Sequence, residues 1–173
     1  MSQIADDVHA RVRKLIGPHQ HLPETLQRDM VSMGIVAIPA LLEILQDGTL
    51  ALTEATGGGF APIHAARLLG ELRADEAIEP MLRVLADSDS LDILYGQLMH
   101  SMIQIGPPVT EPALRAAAAD VDPELQDCLA EVLSRIGTRD ERILELLLNQ
   151  LRRNPECAAG NLADYGDPRA IPH

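Results

Sequence analysis

Residues 64–89 read HAARLLGELRADEAIEPMLRVLADSD. Two apolar series run through this stretch, one on either side of Gly70. Before the glycine, Ala66 stands four positions back and Leu69 one. After it, Ile78, Met81, Leu82 and Leu85 recur at helical spacing. An amphipathic segment, a glycine at its end and a second amphipathic segment predict a helix, a turn and a helix.

The same signature recurs along the chain. An apolar residue precedes glycine at Met33-Gly34, Leu69-Gly70, Ile105-Gly106, Ile136-Gly137 and Tyr165-Gly166, at intervals of about 30 to 36 residues, the period of stacked helical hairpins. Four positions before each glycine stand Met30, Ala66, Met102, Leu133 and Leu162; eight before stand Leu26, Pro62, Leu98, Leu129 and Ala158. These rows form one stripe on each first helix, and each glycine is expected in the left-handed cap position, where it carries no Cβ penalty. Second helices follow with their own rows: Ile38, Leu41, Leu42 and Leu45 in the first unit, and Leu144, Leu147, Leu148 and Leu151 in the fourth. Asp122-Pro123-Glu124, Asn154-Pro155-Glu156 and Asp167-Pro168 each set a capping side chain before a proline suited to a helix's first position.

Such units cannot bury their apolar faces singly, so stacking completes the core. The prediction is an all-α chain of about ten helices, an α-solenoid of antiparallel pairs. It forms a single domain over 1–173, with a capping helix and turn at 1–21, repeats at 22–166, and an unfinished repeat or tail at 167–173. Ala65-Ala66, Leu69-Gly70, Ala77-Ile78 and the row to Leu85 resemble a HEAT-like repeat of the type found in phycobilisome-lyase-like proteins and many bacterial HEAT-repeat proteins. The resemblance covers roughly 22–172 and weakens in the third unit, where ALRAAAADV replaces larger residues. It implies that the α-solenoid is right-handed and that the second helix of each unit lines the inner face. It implies no reaction, because its motif residues are packing residues.

Composition narrows the function. Aromatic residues make up only 2% of the chain against 46% apolar, so the core rests on Leu, Ile, Val, Met and Ala. That balance favours helices over sheets. With 26 acidic residues against 14 basic, the net charge of −12 opposes a phosphate backbone, and nucleic acid is not expected as a partner. The N-terminal MSQIADDVHARVRKLIG carries charges throughout and lacks a signal's apolar core. GIVAIPALL at 34–42 is about half a membrane span, so no membrane is expected. Two cysteines do not make a disulfide framework, and a cytoplasmic setting is the expectation.

Two places could carry a site. Thr56, Gly57, Gly58, Gly59 and Phe60 open a helix, as phosphate-binding loops do. A Walker loop needs a lysine, but the chain's one lysine is Lys14; a dinucleotide fingerprint needs a glycine where Pro62 stands. The run is therefore expected as a joint linking the two helices of one unit, from Asp47 to Gly59. A connection of that length is also a candidate for contacting a partner.

The second place is a polar column six positions before each glycine: Arg28, His64, His100, Glu131 and Gly160, expected on a solvated inner face that meets a partner. His64 and His100, one repeat apart, suggest a metal, but no third ligand is fixed by the sequence, and none is expected. Deoxyhypusine hydroxylase, which this chain resembles in architecture, holds iron with His-Glu pairs; here Ala65 follows His64 and Ser101 follows His100, so that activity is not carried over. Cys128 and Cys157 share a further column and are expected to be ordinary half-buried thiols.

These readings converge on a non-catalytic scaffold, without cofactor, that engages another protein through its inner face. The competing reading is an enzyme or subunit of bilin-lyase-like type holding a tetrapyrrole or metal-bound ligand there. The tail GDPRAIPH begins another repeat and stops, which predicts an apolar end bordered by Leu162 and Tyr165. Such an end implies an end-to-end homodimer or a fragment of a longer repeat protein.

Overall fold

The computed structural model describes residues 3–119 and 122–170. Among these residues there is no strand, and ten α-helices follow in order: α1 (Gln3–Val12), α2 (Glu24–Met33), α3 (Ile38–Gln46), α4 (Phe60–Glu71), α5 (Ile78–Asp87), α6 (Ile93–Ile105), α7 (Thr110–Ala118), α8 (Pro123–Arg135), α9 (Glu141–Arg153) and α10 (Pro155–Tyr165). The chain divides into two compact units, Met1–Ser101 and Met102–His173, with the boundary inside α6.

In the first unit α3 packs on α4 and α5, α2 on α4, and α1 on α2 and α3. The apolar rows read from the sequence form its core: Met30, Ala66, Pro62 and Leu98 from the first helices, and Ile38, Leu41, Leu45, Ile78, Met81, Leu82 and Leu85 from the second helices are all buried. Leu26 and Leu42 are half-buried. Each fully buried Leu or Met, such as Leu41, Met81 and Leu85, contributes about 1.5–3 kcal/mol.

The turns between paired helices depart from expectation. Short 3₁₀ turns, Gly34–Ala37, Asp75–Ala77 and Pro107–Val109, lead into α3, α5 and α7. Gly34 (φ 60, ψ −139) and Gly106 (φ 87, ψ −138) have positive φ, yet neither is in the left-handed helical region. Gly70 is not a cap at all. α4 continues to Glu71, and Arg73 takes the left-handed position with φ 49. The Ala74 N–H donates to the Leu69 carbonyl (3.1 Å) and the Arg73 N–H to the Gly70 carbonyl (3.0 Å), the double bond that closes a Schellman ending. Of the repeat glycines, Gly166 (φ 64, ψ 31) sits in the left-handed region as predicted.

By length and composition alone, the continuous helical run Glu24–Gln46 could cross a membrane, with a mean hydropathy of 1.5 in its best window and 39% of it buried. Counted with α2's apolar residues, it is longer than the nine-residue stretch that the sequence brought forward. Gly34 and its 3₁₀ turn separate it into α2 and α3, whose inward faces are buried in unit 1.

In the second unit α8 packs on α7, α9 and α10, and α9 packs on α10. Leu129, Leu133, Leu144, Leu147, Ala158 and Leu162 are buried, while Leu148 and Leu151 of the predicted row are half-buried. Pro123 and Pro155 open α8 and α10. The Asn154 side chain accepts from the Cys157 N–H, whereas Asp122 makes no capping bond.

Leu162 and Tyr165 do not border an exposed C-terminal face as expected. Leu162 and Tyr165 are buried because α10 lies on both α8 and α9. The Tyr165 hydroxyl accepts from the Asp140 N–H and donates to the Asp140 carbonyl, both at 3.0 Å. The Arg139 guanidinium lies 4.8 Å over the Tyr165 ring and donates to the Tyr165 carbonyl. A 3₁₀ turn at Pro168–Ala170 then carries Arg169 to the Glu141 carboxylate (2.8 Å). The exposed residues of α10 are small or charged: Pro155, Glu156, Cys157, Ala159, Gly160, Ala163 and Asp164. Ile171, read as the first apolar residue of a further helix, lies outside the described residues.

Candidate functional site

The polar column does not form one solvated surface. Arg28, on α2, is exposed and pairs with Glu24 one turn earlier at 3.8 Å. His100, on α6, is exposed too. His64, on α4, is only 4% exposed, and its Nε2 donates to the His19 carbonyl at 2.7 Å. Burial is the main reason that its pKa is lowered, with His19, Arg67 and His21 adding like-charge repulsion against the hydrogen bond's opposite pull. In the second unit Glu131, half-buried on α8, pairs with Arg135 at 3.0 Å, and Gly160 is exposed on α10. All five lie on first helices, whereas the resemblance assigns the inner face to second helices. Among the described residues no group of three or more His, Cys, Asp or Glu is placed to hold a metal. Cys128 is buried and Cys157 exposed, so their shared register does not give them a shared environment.

The glycine run is a joint, but between units of the repeat rather than within one: residues 47–59 connect α3, the second helix of its pair, to α4, the first helix of the next. Asp47 opens the connection, its carboxylate accepting from the Thr49 N–H (3.0 Å) and hydroxyl (2.6 Å). Gly57 (φ 94) abuts the loop after α1 so closely that a Cβ would fall 2.5 Å from the Gly17 carbonyl oxygen. Thr56 and Gly58 are exposed; Phe60 is half-buried, its ring stacked on His64 with centroids 6.3 Å apart. Amides of this loop bond within it, Ala55 to the Leu52 carbonyl and Gly58 to the Ala55 carbonyl, while Gly57 packs against the chain's own N-terminal segment.

What the sequence did not single out is a groove in the second unit. It has a volume of about 380 Å³ and is lined by Leu114, Ala117 and Ala118 of α7, Gln126 of α8, and Arg142, Leu146 and Asn149 of α9. That volume is within the range of small-molecule and peptide sites. Its origin is readable once the second helices are aligned: IEPMLRVLA in α5 becomes TEPALRAAA in α7, so Met81, Val84 and Leu85 have Ala113, Ala116 and Ala117 as counterparts. Of these, Ala117 lines the groove, and its shortened side chain leaves space that a leucine would otherwise fill. The weak third unit was the signal, visible as ALRAAAADV.

One wall of the groove is electrostatically fixed. Arg142 donates to both Glu111 oxygens (3.0 and 2.8 Å) and to Asp140 (2.8 Å). These charge-assisted bonds hold the Glu111 and Asp140 carboxyls below their usual range and raise Arg142 above its own. Across from it, the Gln126 side chain donates to the Ala117 carbonyl at 3.0 Å.

A model of the PBS lyase HEAT-like repeat matches residues 62–87, which span α4, the turn after it and α5. This stretch is a HEAT-like repeat. The match falls on the helix pair whose apolar rows are fullest, and the all-α order of the remaining helices agrees with HEAT-like repeats. No curated protein and no solved structure matches the chain.

Proposed function

We propose that this HEAT-like repeat protein is a non-catalytic, cytoplasmic interaction scaffold that receives a segment of another protein in the groove between α7 and α9. The observation that carries the proposal is the groove itself: an alanine-lined floor on second helices, open at the surface, with polar side chains at its margins. Apolar floor with polar rim is the anatomy of a binding surface, and HEAT-like repeats generally mediate contacts between proteins. A chain with net charge −12 selects a basic or neutral partner, steered over distance, so binding weakens as salt rises.

The test is affinity capture from cells of the source organism with the unaltered protein and with Ala118→Arg, which fills the groove from an exposed position. A protein retained by the former and lost by the latter, with both variants equally helical and equally stable, supports the proposal. Retention of the same proteins by both places recognition elsewhere and overturns it.

The description of the matching repeat model favours a second reading, an enzyme subunit of lyase type that holds a tetrapyrrole-like ligand in the same groove. Colour and metal content of the purified protein separate the two. A stoichiometric chromophore favours the second.

A further inference from the structure

The segment after α1 is held to α4 by two contacts of a particular kind. The His64 ring, 4% exposed, donates from Nε2 to the His19 carbonyl at 2.7 Å. Because a carbonyl only accepts, Nε2 carries the hydrogen, and the site to be protonated on acidification is Nδ1. Beside it, the Gly17 carbonyl presses on Gly57 and accepts the His19 N–H at 2.7 Å. Residues 17–21 are thus laid over the start of α4, while Val12 and Leu15, 1% and 0% exposed, anchor the preceding residues in the apolar layer of α3 and α4.

The groups that act on the charge of His64 are His19 and His21 from the overlying loop and Arg67 from its own helix. Each acts against a positive charge on His64. A second proton on His64 would therefore place positive charge in a buried position against like charges, whereas lifting the loop would return the ring to water and separate it from His19 and His21.

We propose that His64 and the His19–His21 loop form a proton-operated clasp, which loosens in acid to release the N-terminal segment and uncover the apolar surface that Val12 and Leu15 cover. The sign follows from linkage. In the closed state His64 is neutral and its pKa is lowered; in the open state it takes its ordinary value of 6.5. Opening therefore takes up a proton. Closure is fully supported above pH 6.5 and weakens as pH falls below it, the opening equilibrium rising by up to about tenfold per pH unit until the closed-state pKa is passed.

The test is hydrogen exchange of the full chain at about pH 7.5 and pH 5.5, with rates corrected for the intrinsic effect of pH. Peptides covering 6–22 are expected to lose protection several-fold, up to about tenfold, at the lower pH, while peptides of α8 and α9 keep theirs. His64→Gln retains a donor at the same reach but cannot be charged, and should show equal protection at both values. Unchanged protection of 6–22 in the unaltered protein overturns the proposal, as does an acid-induced loss in His64→Gln as large as in the parent. NMR titration of the His64 ring in the unaltered protein decides independently of any variant: a midpoint below 6.5 that coincides with the loss of protection supports the clasp, and a midpoint at or above 6.5 overturns it.

Discussion

Replacing Gly57 and Gly58 one at a time by alanine separates two demands that a glycine can satisfy. Both residues have positive φ, 94 and 66, so either alanine incurs about 1–2 kcal/mol of backbone strain, offset by about 0.4–1 kcal/mol from the reduced freedom of the unfolded chain. Gly58→Ala meets nothing closer than the Phe60 ring at 3.8 Å and should cost about 1 kcal/mol or less. Gly57→Ala in addition places its methyl 2.5 Å from the Gly17 carbonyl oxygen, so that the backbone there must move. Overpacking of this kind costs about 1–3 kcal/mol, and loss of the bond between Gly17 and His19 about 0.5–1.5 kcal/mol more. The expected total is about 2–5 kcal/mol, and the segment 6–22 should lose exchange protection with it. Urea unfolding followed by circular dichroism measures both variants, with the two compact units fitted separately if their transitions part. Equal destabilisation by the two alanines would show that only the dihedral matters and that residue 17 does not press on residue 57.

Other consequences are open to measurement. Leu82→Ala should cost about 2–5 kcal/mol, because Leu82 is buried in the core row of α5, while His100→Ala, at an exposed position of α6, should stay within about 0.5 kcal/mol in the same unfolding assay. Tyr165→Phe leaves both the N–H and the carbonyl of Asp140 without the hydroxyl that bridges them, and should lower stability by about 1–3 kcal/mol in urea. Asp167, bonded by the Arg169 side chain and backbone, has its pKa lowered to about 2, and Asp140 and Glu111 are lowered through Arg142. Their support is complete above the ordinary carboxylate range and is lost as pH falls through the depressed values, for Asp167 between 3.8 and about 2. Melting temperatures taken from pH 5 to pH 2 should therefore fall less steeply in Asp167→Asn than in the parent, and a parallel decline in both would refute the assignment.

Much of the fold was legible because it depends on local periodicity. The residues four and eight before each glycine are buried with the exception of half-buried Leu26, and the prolines at 123 and 155 open helices. The ending of α4 was not legible, since Leu69-Gly70 repeats the signature of the other caps while the helix continues to Glu71 and the positive φ passes to Arg73. His64 was misread for a different reason. Its register marks it as polar and outward, whereas the loop at 17–21, 45 positions away in the chain from His19 to His64, holds it through the His19 carbonyl. Leu162 and Tyr165 were misread because the repeat pattern treats α10 as the start of a pair, whereas α10 completes a three-helix cluster with α8 and α9. The groove was present in the sequence as missing volume, and a pattern of apolar residues registers what is present more readily than what is small.

The turns at Gly34 and Gly106 have a stereochemical consequence. No neighbouring atom lies within 4 Å of where a Cβ would project at either position. Space is available, and handedness alone selects glycine. Reflected through a mirror, φ 60 with ψ −139 and φ 87 with ψ −138 become φ −60 with ψ 139 and φ −87 with ψ 138, which is the extended region that ordinary residues occupy freely. A D-alanine would therefore meet the backbone dihedrals of either turn as readily as an L-alanine meets those of polyproline conformation. A semisynthetic protein carrying D-alanine at 34 should gain about 0.4–1 kcal/mol from a less free unfolded chain, where the L-enantiomer at the same site would be strained.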